Sequence, residues 1–330
     1  MVLENSHQGR DGPSAAGDTG ATGTRLPDRV RFQALGTQCE IQYAAADRGA
    51  GQAFVREAVT WVHAFEAKYT RFRPDSLIGR INAAAGRDWV AVDNEAERIF
   101  ALADQIHVLT RGIIDPTILP LLRLWNYRAP TPRVPSVDEV THALGRTGWS
   151  RVRREPGRIY LPEAGMGLDL GGFGKEYAVD RVLDIARAHG VANVLVDFGH
   201  DVRVIGAPPG APCWAVGVED SRSPGTVRAR LAVSDAGIAT SGDYIRCFEV
   251  GGRRFGHIID PRNGYPVSNE CRSVTVVANS CLEAGLLSTT AFVLGPAEGL
   301  KLIDDYFGAE GCIATERDER QTRGFCRYVY

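Results

Sequence analysis

The sequence predicts an α+β fold, a single compact domain of antiparallel sheet with flanking helices. Two observations carry that expectation. Strand-like runs follow one another between 193 and 278 with few helices between them, which suits antiparallel sheet better than a doubly wound α/β arrangement. No long linker, repeat or low-complexity stretch interrupts residues 29–330, so one domain is expected there, with room for two lobes.

The elements follow in order. Residues 29–43 (RVRFQALGTQCEIQY) read as two strands around a turn at Gly36-Thr37. Phe54, Val55, Ala58, Val59, Val62 and Phe65 are spaced for one buried helix face. A second helix spans about 94–110 and ends before Gly112, and Ser136 with Glu139 predicts a capping box. A helix from Gly174 to Gly190 buries Val179, Val182, Leu183 and Ala186. Strands are expected at 193–198, 202–206, 213–219, 227–233, 244–250, 255–259 and 272–278. A helix then starts at Ser280 with Glu283 as its capping partner, another runs from Pro296 to Phe307, and 324–330 reads as a closing strand.

Composition narrows the function. The 38 Lys and Arg against 40 Asp and Glu leave a net charge of −2, so no basic field is available for nucleic acid. Seven scattered cysteines without a C-x-x-C pair argue against a disulfide framework or a structural zinc. Residues 1–28, rich in Gly, Ala, Ser, Thr and Asp, are expected to form a disordered tail. Glu4, His7, Arg10 and Asp11 interrupt any apolar run, so no export signal is read and a cytoplasmic protein without a membrane span is expected.

Five segments gather turn residues and potential ligands. TRFRPDSLIGRIN (70–82) places Phe72, Asp75 and Asn82 around a turn. In GIIDPTILPLLRLW (112–125), Asp115 precedes a proline, and an extended backbone is expected to point its carboxylate outward. Each of these two also reads as a turn beside a core aromatic. GLDLGGFGKEYAVDRV (167–182) is a strand, a glycine turn at 171, 172 and 174, and a helix start, with Asp169 before it and Lys175 at its mouth. Such a turn presents N–H groups to an anion, although close strand–helix packing alone would also call for glycine. GIATSGDYIRCFEVGGRRFGHIIDPRNGYPV (237–267) brings His257 and Asp260 to a strand end, where they suit a general base and its orienter or a structural pair. In VTVVANSCLEAGLLSTTAFVLG (274–295), Ser288, Thr289 and Thr290 lie on an apolar helix, bonding back to the preceding turn or facing a ligand.

These segments, in this order, resemble the ApbE family of FAD:protein FMN transferases, from about Leu35 to Gly295. RPDSLIGRIN, IDPTILPLLRLW, LDLGGFGKEYAVD, ATSGDY and HIIDPRNGYP carry the likeness. The resemblance implies an ApbE-like (T-fold-like) domain over 29–330 that moves FMN from FAD to a threonine of an acceptor protein and releases AMP. It implies FAD contacts at Leu35, Phe72, Ile113, Ile114, Asp115, Asp169, Lys175 and Ile259. It implies His257 and Asp260 as the catalytic pair, and magnesium held by the Gly172 carbonyl, Ser288 and Thr289. The sequence departs from the family where Gly285 replaces the metal-binding Asp, which is expected to weaken the metal site. Glu176 replaces a common Gly, Asn263 a common Thr, and Asp197 and His200 are unusual. Those changes leave open an FAD pyrophosphatase, or an FAD-binding relative with reduced catalysis.

Overall fold

The computed structural model describes residues 26–330, so the tail expected over 1–28 lies outside the described residues up to residue 25. An eight-stranded sheet forms the spine. Its spatial order is Asp28–Ala34, Thr37–Ala44, Asn193–Phe198, Asp201–Ile205, Gly237–Gly242, Cys271–Ala278, Glu310–Thr315 and Glu319–Gln321. Every neighbouring pair is antiparallel.

The sheet is covered on both faces, and the sequence shows how. In Asn193–Phe198, Val194, Val196 and Phe198 enter the core beneath the helices Arg48–Tyr69 and Gly174–Ala188, whereas Leu195 enters a second core on the opposite face. That second core is closed by the hairpin Trp214–Glu219 and Val227–Val233. A strand buried on both sides needs a continuous apolar run, and VLV supplies it. Further along the sheet, the helices Cys281–Leu294 and Pro296–Asp304 cover Val274, Val276 and Ile313.

A smaller satellite core joins the helices Leu119–Leu124 and Val137–Leu144 to Phe248, Phe255 and Ile259. Trp125 stacks on Phe255 with ring centroids 5.6 Å apart and donates its indole N–H to the Gly264 carbonyl at 2.8 Å. This cluster ties the 113–125 segment to the one carrying His257. Among the described residues no helix is long and apolar enough to cross a membrane, and all seven cysteines are free thiols.

Three local expectations differ from the structure. Gly237–Gly242, where ATSGDY begins, is a central strand, which its glycines and hydroxyls concealed. The C-terminal segment is a short 3-10 turn, Phe325–Arg327, with a single bridge from Val329 to Leu231. Ser280 accepts from the Glu283 N–H as expected, but the Glu283 carboxylate accepts from the Tyr306 hydroxyl at 3.1 Å and does not return to Ser280; Asp180 completes the cap, accepting from the Cys281 and Leu282 N–H groups at 2.9 Å.

Candidate active site

The site assembles around the glycine turn. Asp169 and its neighbours lead out of the core, and the helix Gly174–Ala188 starts directly after the turn with no side chain capping it. Within the turn the Phe173 and Gly174 N–H groups bond the Leu170 carbonyl and that of Gly171 goes to Asp169, so the N–H groups left toward the positive end of the helix are those of Gly172, Lys175 and Glu176. Gly171 and Gly172 are exposed. A Cβ at Gly174 would meet only ordinary contact, with Leu170 Cβ at 3.5 Å, so neither crowding nor a left-handed backbone requires glycine there. At Gly172 a Cβ would come within 3.2 Å of the Ile114 methyl, which places the 113–115 segment against the turn. Bare backbone of this kind admits an anion closely.

The charges around the turn are neutralised in pairs. Asp169 accepts from the Gly171 N–H at 2.6 Å and pairs with Arg71, whose guanidinium lies 4.3 Å over the Phe72 ring. Phe72 is 73% exposed and borders a hollow of about 420 Å³ lined by His63, Glu66, Ala67, Thr70 and Arg73. Lys175 pairs with buried Asp201. On the neighbouring strand, burial pushes Asp197 up to about 6, and its carboxylate accepts from the His200 N–H at 2.7 Å. Burial pushes His200 down to about 4.

Asp115 does not point outward as the sequence suggested. It is buried and accepts from the Thr117 N–H at 2.7 Å, the Thr117 hydroxyl at 2.5 Å and the Trp149 N–H at 3.0 Å. The proline after it keeps the backbone extended, but a Thr two residues on and a Trp N–H offer the carboxylate buried donors. Its role is to shape the loop that sets Ile113 and Ile114, both buried, beside the turn. Ile259 is likewise buried, in the satellite core. Leu35 occupies the left-handed region at φ 54°, followed by Gly36 at 69°, so the hairpin turn is Leu35-Gly36 with Thr37 already paired to Ala34.

His257 and Asp260 are not joined to each other by a hydrogen bond. Asp260 is buried and bonds Arg262 through its Nε at 2.9 Å and a terminal nitrogen at 2.8 Å, heading the turn that closes at Gly264. His257 instead has Nδ1 3.2 Å from the Arg246 carbonyl and the Tyr127 ring 6.1 Å away. The two residues leave the strand end in different directions because the Pro261 turn swings Asp260 toward Arg262. Burial, with Arg246 and Arg128 nearby, pushes His257 down to about 4.

A hydroxyl cluster lies on the helix Cys281–Leu294. Ser241 bonds both Ser288, at 2.9 Å, and Thr289, at 2.8 Å, and the fully buried Ser288 hydroxyl donates to the Gly285 carbonyl at 3.1 Å. Ser241 was missed as a site residue, although the ATSGDY segment that holds it stood out. Facing this helix, Glu176 is only 8% exposed, and its Oε2 has no hydrogen-bond partner. A Cβ placed on Gly285 would lie 2.6 Å from the Glu176 Cγ. Among the described residues no group of three or more His, Cys, Asp and Glu side chains could hold a metal.

The model of the ApbE family matches residues 35–313. This chain belongs to the ApbE family. Its similarity to ApbE proteins extends to whole structures. The ApbE protein of Thermotoga maritima superposes with a TM-score of 0.83 at 32% identity, covering 92% of this chain and 99% of that one. The apo flavinyl transferase ApbE of Pseudomonas stutzeri gives 0.81 at 26% identity, covering 93% and 98%. Among curated relatives, the FAD:protein FMN transferase of Vibrio cholerae is 32% identical over 240 residues, 71% of either chain. That of Treponema pallidum is 29% identical over 293 residues, 84% of this chain and 81% of the relative. The ApbE fold is thus the one described above, an α+β domain of antiparallel sheet with flanking helices.

Proposed function

We propose that this protein is an FAD:protein FMN transferase. The observation that carries the reading is the bare glycine turn at an uncapped helix N-terminus, with Lys175 at its mouth, in a chain that belongs to the ApbE family. A diphosphate set against those N–H groups would have its charge met by the helix end, and by Lys175 once its ammonium is shared between Asp201 and the phosphate. The exposed Phe72 ring suits stacking on a flat ring system, and Leu35, Ile113, Ile114 and Asp169 frame the rest of the FAD. Asp115 and Ile259, both buried, contribute through the backbone they hold.

The reaction divides into one bond made and one broken. The acceptor threonine oxygen attacks the phosphorus on the flavin side, the bridging P–O bond breaks, and AMP leaves with its own phosphate. The threonine proton passes to His257, which is neutral at pH 7 because burial and two arginines hold its pKa near 4. Asp260 is a positioning residue that fixes the turn after His257 through Arg262.

Magnesium fits the residues present, because Ser288, Thr289 and the Gly172 carbonyl are hard oxygen donors and a buried carboxylate oxygen without a partner stands over the same helix. Bound there, it would neutralise diphosphate charge.

Incubating the protein with FAD, magnesium and a flavoprotein acceptor tests the proposal. The acceptor should gain the mass of one FMN while AMP appears, and replacing its target threonine with valine should abolish the gain. AMP without the mass gain would mean that water takes the place of threonine, and would contradict the transferase reading.

A further inference from the structure

We infer that Glu176 supplies the carboxylate of a divalent-cation site in this chain, from the helix facing position 285 rather than from position 285 itself. The inference deepens the transferase reading, on which it rests for the substrate beside the ion.

Three observations lead to it. Glycine in the middle of a helix costs roughly 1 kcal/mol relative to alanine, so Gly285 calls for a reason. The reason is steric, since a Cβ there would meet the Glu176 Cγ at 2.6 Å and its Cδ and Oε1 at 3.2 Å. The Glu176 side chain therefore fills the space that a side chain at 285 would enter. Second, the Glu176 Oε2 is buried without a partner, and an uncompensated buried carboxylate is costly. Of the neighbouring cations, Lys175 pairs with Asp201, while Arg203 sets its Nε 3.9 Å from Asp180 and leaves its buried Nη1, like the Glu176 Oε2, without a hydrogen-bond partner and without an ion pair to Glu176.

Third, hard oxygens lie along the same helix face. Ser288 and Thr289 follow Gly285 by three and four residues, the spacing of side chains stacked on one face, and helical side chains lean toward the N-terminus. Both hydroxyls are joined to Ser241. One carboxylate with hydroxyls and a carbonyl suits magnesium or manganese and not a soft metal.

Positions 176 and 285 are then coupled. Gly285→Asp alone would crowd Glu176 and set two carboxylates together, so it should weaken the site and not repair it. Exchanging the pair, Glu176→Gly with Gly285→Asp, should return one carboxylate to the same space.

The test is a titration of the full chain with Mn²⁺, without flavin, followed by the electron paramagnetic resonance signal of free Mn²⁺ and by competition with Mg²⁺. The wild type should bind one ion. Glu176→Gln should weaken binding by about tenfold or more, the scale on which even outer-shell losses weaken metal sites. Gly285→Asp should also bind more weakly, and the exchanged pair should recover most of the affinity. Absence of binding by the wild type, or undiminished binding by Glu176→Gln, would overturn the inference. So would an exchanged pair that is folded by circular dichroism but binds no better than Glu176→Gln. Metal binding that depends on Glu176 in a protein that transfers no FMN would support the metal site while sinking the transferase reading.

Discussion

Burial sets the chemistry of His257 before any substrate arrives. With its pKa pushed from 6.5 to about 4, the ring is neutral across the physiological range. A proton on Nδ1 donates to the Arg246 carbonyl, which leaves Nε2 as the base. A nuclear magnetic resonance titration of the His257 ring should give a midpoint near 4, and a midpoint near 6.5 would contradict this environment. The same depression bears on stability. The unfolded chain takes up the proton first, so stability present above pH 6.5 is lost as pH falls through about 4, for His257 and for His200 alike. Asp197 has the opposite sign, its contribution being full below 3.8 and lost as pH rises through about 6. His200→Gln should therefore flatten the acid loss between pH 6.5 and 4, read from urea midpoints. Leu35 is a second tuned residue, since a left-handed backbone costs a bulky side chain about 1–2 kcal/mol. Leu35→Gly relieves that strain but removes the packing of Leu35 against the main core, so the urea midpoint should change little while FAD binding weakens.

Elements show which parts of this fold were legible in the sequence. The capping box at Ser136 and Glu139 is present as read, because both halves lie within one helical turn. The periodicity of the Arg48–Tyr69 helix likewise marked its buried face, Phe54, Val55, Ala58, Val62 and Phe65. What depends on partners far along the chain was not legible. Asp180 caps a helix about a hundred residues away, and no local pattern announces it. Asp180→Ala should cost about 1–2 kcal/mol by chemical denaturation, as a lost cap does. Asp115 was recognised as special, but its direction depended on Trp149, outside its own segment. Asp115→Ala should cost about 3 kcal/mol by the same measurement, by leaving buried donors unpaired. In the same way, the opposition of Glu176 and Gly285 became visible only once two helices were packed together.

At the scale of the whole molecule, one sheet brings segments distant in sequence side by side. Asp201 on one strand holds Lys175, Ser241 on the next strand holds Thr289, and the satellite core carries His257 on the segment tied to the 113–125 loop. Three of the other motifs reach the glycine-turn segment directly, through Arg71 on Asp169, Ile114 against Gly172 and Gly285 opposite Glu176. Because FAD would bind only the folded chain, saturating it to a hundred times its dissociation constant should add about 2.7 kcal/mol of stability, seen as a rise in melting temperature. The central claim is that the turn at 171–174 holds a dinucleotide's diphosphate, and calorimetric titration with FAD tests it most directly. One FAD should bind per chain, with affinity reduced by Gly172→Val and by Lys175→Ala. No binding heat, or binding indifferent to both substitutions, would contradict the account.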